Sequence, residues 1–347
     1  MQTPHIFPWM LSALLFAACG SYYTDIDDLD ATDKLVLYCM PAAGVDTTVI
    51  QLSRSQALSS SVDPWGHRPM PANVHVAYSV NGVEQKVQYA DSKVGDVPSG
   101  CYYVVGTLRE GDQISVEAST EGFPTVQGRT TIPPSFPLDS IVLRENTANT
   151  DNEVQVAVAL SAASSVSSYA VHVVRRDVHD YFDYRFGEFI SSHTVEGIYH
   201  PDMDLSSEPL LNNVTGMDEI FDVSNEFYDN LYTFTNRTFL DRPYTLRLNT
   251  RYFRPSFSKD SYDHVVYRSS YYYRVYLYRL SSEMYQYLKS VNDINNNDLG
   301  LSGLASIRSH YSNVSGGLGV VCGCNVIDTG WMPSPVFSDG VQDDSDF

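Results

Sequence analysis

Apolar and polar residues alternate in short runs along most of this chain, and few of the runs are long enough for a helix. Between Lys34 and Leu143 the stretches "KLVLYCM", "TTVIQLS", "NVHVAYSVNG", "EQKVQYA", "CYYVVG", "GDQISVEAS" and "TVQGRTTIP" each read as a strand. Such alternation sends successive side chains to opposite faces of a strand. Gly, Pro, Asn and Asp punctuate the gaps, as in "VNGVE" and "REGDQ". Strands spaced by roughly ten residues predict an immunoglobulin-like β-sandwich over residues 34–139. "IPPSFPLDS", residues 132–140, closes it, because its prolines stop strand pairing and stiffen a connector.

A second β region is expected over residues 140–332. "DSIVLRE", "EVQVAVALS" and "SSYAVHVVRRD" continue as strands, and "HDYFDYRFGEFI" follows them. Residues 196–230 are polar with little periodicity and read as a loop-rich insertion, a candidate binding edge. Strand character resumes from Thr233 to Phe253. The expected fold class is mainly β: a sandwich followed by an antiparallel domain, itself a sandwich or a barrel.

The densest local pattern is "DHVVYRSSYYYRVYLYRLSSEMYQYLKS", residues 263–290. From His264 to Leu280 its odd positions, among them Val265, Tyr273, Val275 and Leu277, form an apolar face that should bury. The even positions set Arg268, Tyr272, Arg274, Tyr276 and Tyr278 in a row on the other face. At Ser281 the period changes: Leu280, Met284, Tyr287, Leu288 and Val291 share one side of a helix expected over about 281–295. Ser281 or Ser282 is its N-cap, and Lys289 lies in a late turn.

Composition sharpens this picture. The chain has 22 Lys and Arg against 42 Asp and Glu, a net charge of −20, with 25 tyrosines. That balance argues against nucleic acid as a partner, since phosphate binding needs clustered cations. The charge is uneven, however. Residues 242–280 hold seven Arg and one Lys against Asp260 and Asp263, which makes the segment locally basic. Arg247 and Arg251 share a face of "YTLRLNTRYF", so pairing of that strand with 264–280 would create one basic–aromatic surface. Arg247, Arg251, Arg268, Tyr272, Arg274, Tyr276 and Tyr278 are thus the candidate ligand or partner surface, through cation–π and bidentate contacts. The competing reading pairs the guanidinium groups with carboxylates and lays them over tyrosine rings.

The first 18 residues carry no Asp, Glu, Lys or Arg, run apolar from Ile6, and end in small residues before Cys19. They resemble a bacterial lipoprotein signal peptide, with lipidation expected at Cys19. Phe16 departs from the usual Leu, and the leader lacks Lys or Arg. An ordinary secretory signal is the alternative, and the apolar run falls short of the ~20 residues of a membrane span. Residues 19–33 read as an acidic tether, and residues 333–347 as an acidic tail. Cys39, Cys101, Cys322 and Cys324 are expected as disulfides or buried thiols.

The chain carries no G-x-S-x-G elbow, H-E-x-x-H or Walker loop. His172, His179 and His193 are the nearest histidine grouping, and Asp180 and Asp183 the most suggestive carboxylate pair. No metal or cofactor is expected.

Three segments in order resemble a known family: "FTNRTFLDRPYTLRL", "YRVYLYRLSSEMYQYLKSV" and "YSNVSGGLGVV". They are similar to the Bacteroidota outer-membrane lipoproteins grouped as domain of unknown function 4249. "GLSGLASIRSH" stands where that family has a Pro-Phe-Ala-Glu-Pro-like turn, and "VVCGC" replaces its Phe-Gly ending. The resemblance implies an outer-membrane, lipid-anchored protein, exposed at the cell surface and associated with a TonB-dependent receptor. It defines no catalytic residue. The expected function is non-catalytic binding or accessory work in nutrient uptake; the alternatives are a structural or adhesive surface protein and a carboxylate-dependent hydrolase.

Overall fold

The computed structural model describes residues 33–55, 73–146, 153–211, 230–295, 310–335 and 342–343. The leader, Cys19, the tether up to residue 32, residues 212–229 of the polar middle and most of the tail lie outside them.

The first region forms β1 (Leu35–Cys39), β2 (Thr47–Arg54), β3 (His75–Val80), β4 (Val83–Gln85), β5 (Tyr102–Val105), β6 (Gln113–Ser119) and β7 (Val126–Thr131). The second forms β8 (Leu138–Asn146), β9 (Glu153–Leu160), β10 (Ser168–Arg185), β11 (Glu188–Tyr199), β12 (Tyr232–Thr235), β13 (Tyr244–Arg251), β14 (Ser256–Lys259) and β15 (Val265–Leu280). Helix α1 (Ser282–Asn295) follows, then β16 (Leu318–Val321) and β17 (Cys324–Asp328). The protein is mainly β, as its alternation dictates, and the sheets are open rather than closed into a barrel.

β1 shows how the pattern becomes a core. Leu35, Leu37 and Cys39 are buried while Val36 and Tyr38 are half-buried, the signature of a strand with one face inward. A five-stranded sheet in the order β16, β1, β2, β5 and residues 88–89 packs on a four-stranded sheet in the order β4, β3, β6, β7. Ile50, Tyr78, Ile114, Val116 and Val126 fill the space between. "EQKVQYA", expected as one strand, is two: Val83–Gln85 pairs with β3 in one sheet, and Gln88–Tyr89 pairs with β5 in the other.

The edge strand β16 comes from the far end of the chain. It runs parallel to β1, with Val36 opposite Leu318 and Cys39 opposite Val321. Asn313 fixes its approach, donating from Nδ2 to the carbonyls of Arg129 (2.9 Å) and Val321 (2.8 Å) and accepting from Val321 N (2.9 Å). "SGGLG" is therefore a turn that enters a strand. Gly319 has φ +112, and a Cβ there would land on the carbonyl oxygen of Leu37. Only glycine permits that approach.

The second core lies between a sheet ordered β8, β9, β13 and residues 203–204 and a larger one built on β11, β10, β15 and β14. Val156, Val158, Tyr169, Leu246, Tyr273 and Leu277 are among the residues that fill it. Glu208 is 1% exposed at its margin, and its carboxylate accepts from Tyr244 Oη (2.5 Å), Arg247 N (2.8 Å) and Leu210 N (3.2 Å). Those donors make burial of the carboxylate tolerable. Helix α1 sits where the two cores meet, with Met284 and Leu288 packed among Ala42, Ala170, Val320 and Cys322. Ser281 caps it, its Oγ accepting from Met284 N at 3.2 Å.

Gly319→Ala should cost roughly 3 kcal/mol of stability, through strain and loss of the β1–β16 pairing. Urea denaturation should show a lowered midpoint, whereas Gly330→Ala, where an added Cβ meets nothing within 4 Å, should be milder despite its positive φ.

Candidate functional site

β15 alternates as expected: Ser269, Tyr273, Val275 and Leu277 are buried on one side. Arg268, Tyr272, Arg274, Tyr276 and Tyr278 point to the other. The partner strand β10 pairs with β15 antiparallel from Ser168↔Leu280 to Tyr181↔Tyr267. That register brings Asp180 opposite Arg268, Arg176 opposite Tyr272 and His172 opposite Tyr276.

Arg247 and Arg251 do not join this surface. Their strand β13 pairs with β9 and with residues 203–204, in a different sheet from β15. Both side chains are exposed, and the Arg251 guanidinium lies 5.7 Å from the Phe253 ring. The single basic–aromatic surface expected from pairing of the two strands is thus split. Its cause is topological: β14 occupies the edge of β15 that β13 would have needed.

On the β15 face each guanidinium already has its carboxylate. Arg268 donates to Asp180 through Nη2 (2.8 Å) and Nε (3.2 Å), and Thr194 Oγ1 donates to the other oxygen (2.7 Å). Arg274 binds Asp328 in a fork, Nε to Oδ1 at 2.7 Å and Nη2 to Oδ2. Arg176 donates to Glu196 at 2.7 Å. The same cations lie over rings: Arg274 is 5.0 Å from Tyr276 and 5.7 Å from Trp331, and Arg176 is 5.7 Å from Tyr272. The face is electrically balanced within itself, so an anionic ligand would have to displace Asp180 or Asp328. Arg268 holds the Asp180 carboxyl below its ordinary range, with help from Thr194, and Arg274 does the same for Asp328. Tyr278 lies at the end of this face that the cluster around α1 covers, and packs against it.

Alternation also separates the histidines and carboxylates that looked suggestive. His172 lies on the Arg–Tyr side of β10, where its Nε2 is 2.9 Å from His200 Nδ1. His179 lies on the opposite side, 2.9 Å from Tyr267 Oη, and His193 stacks on Tyr181 there. Asp180 and Asp183 likewise take opposite sides of β10, which keeps them from acting as a pair. Among the described residues no group of three or more His, Cys, Asp or Glu could hold a metal ion. Cys39, Cys101, Cys322 and Cys324 are all buried free thiols. Burial pushes Cys39 and Cys322 well above the ordinary thiol range and Cys324 up to about 12, which keeps them protonated.

Two features went unread in the sequence. The first is a buried pair, Arg175 Nε and Nη2 donating to Asp177 at 2.6 and 2.9 Å, with the guanidinium 3.6 Å from the Phe253 ring. The "RRD" run held the signal, because period two puts its first and third residues on one face. The second is the β10–β11 hairpin. Phe186 and Gly187, both at positive φ, turn it, and Phe186 is 99% exposed. β11 is an edge strand with almost every side chain exposed, including Phe189, Ile190, Val195, Ile198 and Tyr199. Residues 196–199, expected in a loop, belong to it. Beside the hairpin a cleft of about 520 Å³ is lined by Phe182, Tyr184, Phe257, Lys259 and Arg268.

A family model described as domain of unknown function (DUF4249) matches residues 21–329. No curated protein matches the sequence.

The pH dependence of stability follows from the two carboxyls. Their folded-state pKa values are depressed, so their contribution is present above the unfolded value near 4 and is lost as pH falls through the folded values. Both pairs are partly solvated, with Arg268 at 57% side-chain exposure, which limits each to about 1 kcal/mol or less. The double variant Asp180→Asn, Asp328→Asn should be less stable than the native chain at pH 7. That gap in urea midpoint should narrow steadily below about pH 4.

Proposed function

We propose a reading that starts from membership: the chain belongs to the DUF4249 family, and it acts as a lipid-anchored binding or accessory protein at the outer membrane. Cys19 carries the lipid, and the folded part works beside a TonB-dependent receptor in nutrient uptake. The observation that carries this reading is the β10–β11 hairpin. As an edge among the described residues it carries apolar side chains on both faces and no Lys, Arg or Pro, so it is only lightly blunted, by a register irregularity near Ser191 and by Glu188 and Glu196. Exposed apolar surface of this kind marks protein contact, and β-strand addition is a physical mode by which such an edge binds. The self-balanced Arg–Tyr face supports a recognition surface held rigid by its own ion pairs. No helix among the described residues is long and apolar enough to cross a membrane, so attachment in this reading depends on the lipid.

Cys19→Ala should move the protein from the membrane fraction to the soluble fraction, read by fractionation and immunoblot. Affinity purification from detergent-solubilised membranes should recover an outer-membrane receptor, and Phe189→Asp with Ile198→Asp should reduce that recovery at least tenfold. Membrane retention of the Cys19→Ala protein would overturn the anchoring step. Absence of any receptor from the purified material would overturn the partnership.

A further inference from the structure

A cleft of about 1030 Å³ opens between the outer face of β6 and β7 and the junction of β15 with α1. Arg129, Gln113 and Thr131 stand on one wall, and Ser167, Arg279 and Glu283 on the other. Its size is at the upper end of small-molecule sites, roughly 300–1,000 Å³. Ile132, Pro133 and Val166 add apolar lining between the polar groups.

The charges in this cleft behave differently from those on the Arg–Tyr face. Arg279 donates from Nη1 to the Ser135 carbonyl (2.6 Å) and from Nη2 to Ser167 Oγ (2.8 Å), both neutral acceptors. Arg268 and Arg274 on the same strand are matched to carboxylates, whereas Arg279 has none within ion-pair distance among the described residues. Glu110, which accepts from Ser135 N at 2.8 Å, feels the Arg279 charge only from farther away. Arg129 is exposed and also lacks an ion-pair partner among the described residues. Glu283 accepts from Ser282 Oγ (3.0 Å) and Thr130 Oγ1 (3.4 Å), again without a cation at ion-pair distance among the described residues. Two guanidinium groups and one carboxylate therefore line one cleft, none of them in an ion pair among the described residues, with Arg279 and Glu283 bonded to neutral groups.

We propose that this cleft binds a zwitterionic oligopeptide, with the peptide carboxylate on Arg279 and Arg129 and its ammonium on Glu283. A simple anion meets repulsion from Glu283, and a simple cation meets it from the arginines. A molecule carrying both charges at a separation matches both. The guanidinium N–H groups that Arg279 does not spend on Ser135 and Ser167 suit a carboxylate, and the hydroxyl and amide groups along the walls suit peptide N–H and C=O groups. The inference deepens the binding role proposed above by naming a ligand class and placing it away from the hairpin.

The test uses a pool of random-sequence tetrapeptides with free termini, together with its N-acetylated and its C-amidated counterparts. Saturation-transfer NMR on the full chain in detergent should show transfer to the free-termini pool and at least fivefold less to either capped pool. Arg279→Gln and Arg129→Gln should each weaken binding of the free-termini pool about tenfold without changing the C-amidated pool. Glu283→Gln should weaken the free-termini pool and leave the N-acetylated pool unchanged. Should circular dichroism show that Arg279→Gln unfolds, the Arg129 and Glu283 variants decide alone. Transfer from no pool, or equal transfer from free and capped pools, overturns the proposal. Receptor recovery without peptide binding would sink this inference while leaving the accessory role standing.

Discussion

The antiparallel pairing of β10 with β15, unbroken over fourteen register pairs, decides where most of the chemistry in the second region goes. Side-chain period in a strand is two, so one register choice assigns every residue of both strands to a face. Tyr169, Val171, Val173, Tyr273, Val275 and Leu277 go inward together and build the larger core. Arg176, Arg268, Tyr272 and Arg274 go outward together. A slip of one residue would bury guanidinium groups and expose the core, which is why so polar a strand pair holds a unique alignment. The hairpin continues from the far end of this ribbon, and α1 begins at the near end.

Arginines in the protein fall into distinct settings. Arg175 is buried against Asp177 and Phe253, where its charge has both a countercharge and a ring. Such pairs rarely add stability over apolar packing, and they fix geometry more than they lower energy. Arg176, Arg268 and Arg274 tie neighbouring strands together at the surface, each modestly. Arg279 alone on β15 is held by neutral oxygen atoms. The same residue type thus serves as core filler, as strand tie and as an unmatched charge, and only its neighbours distinguish these roles.

Much of this was legible in the sequence. The strands, the odd–even split of β15, the Ser281 cap and the helix with Met284 and Leu288 inward all follow from local periods of two and 3.6. What local pattern could not supply was partnership. Arg247 and Arg251 were read beside β15 because their strand precedes it closely in the chain, yet β14 took that edge. Local pattern sets Asp180 beside Asp183 and does not single out Asp328, because the arginines that bind them lie far away in sequence. The β11 half of the hairpin went unread because nearly all of it is exposed: with no buried face, alternation has nothing to mark. Nothing local marks Gly319 as a strand residue, since a strand position at φ +112 has no propensity signature of its own.

The pairing of β1 with β16 has a consequence for how the protein is made. Its partners lie about 280 residues apart, so the sandwich, made first, lacks an edge strand until that intervening stretch has been made. Loop closure over that distance is entropically slow to find. Through that interval β1 exposes a bare edge with Leu35, Leu37 and Cys39 beside it. A bare edge of this kind is a template for pairing with another chain, so the arrival of β16 closes the interval in which the sandwich is open to misassembly.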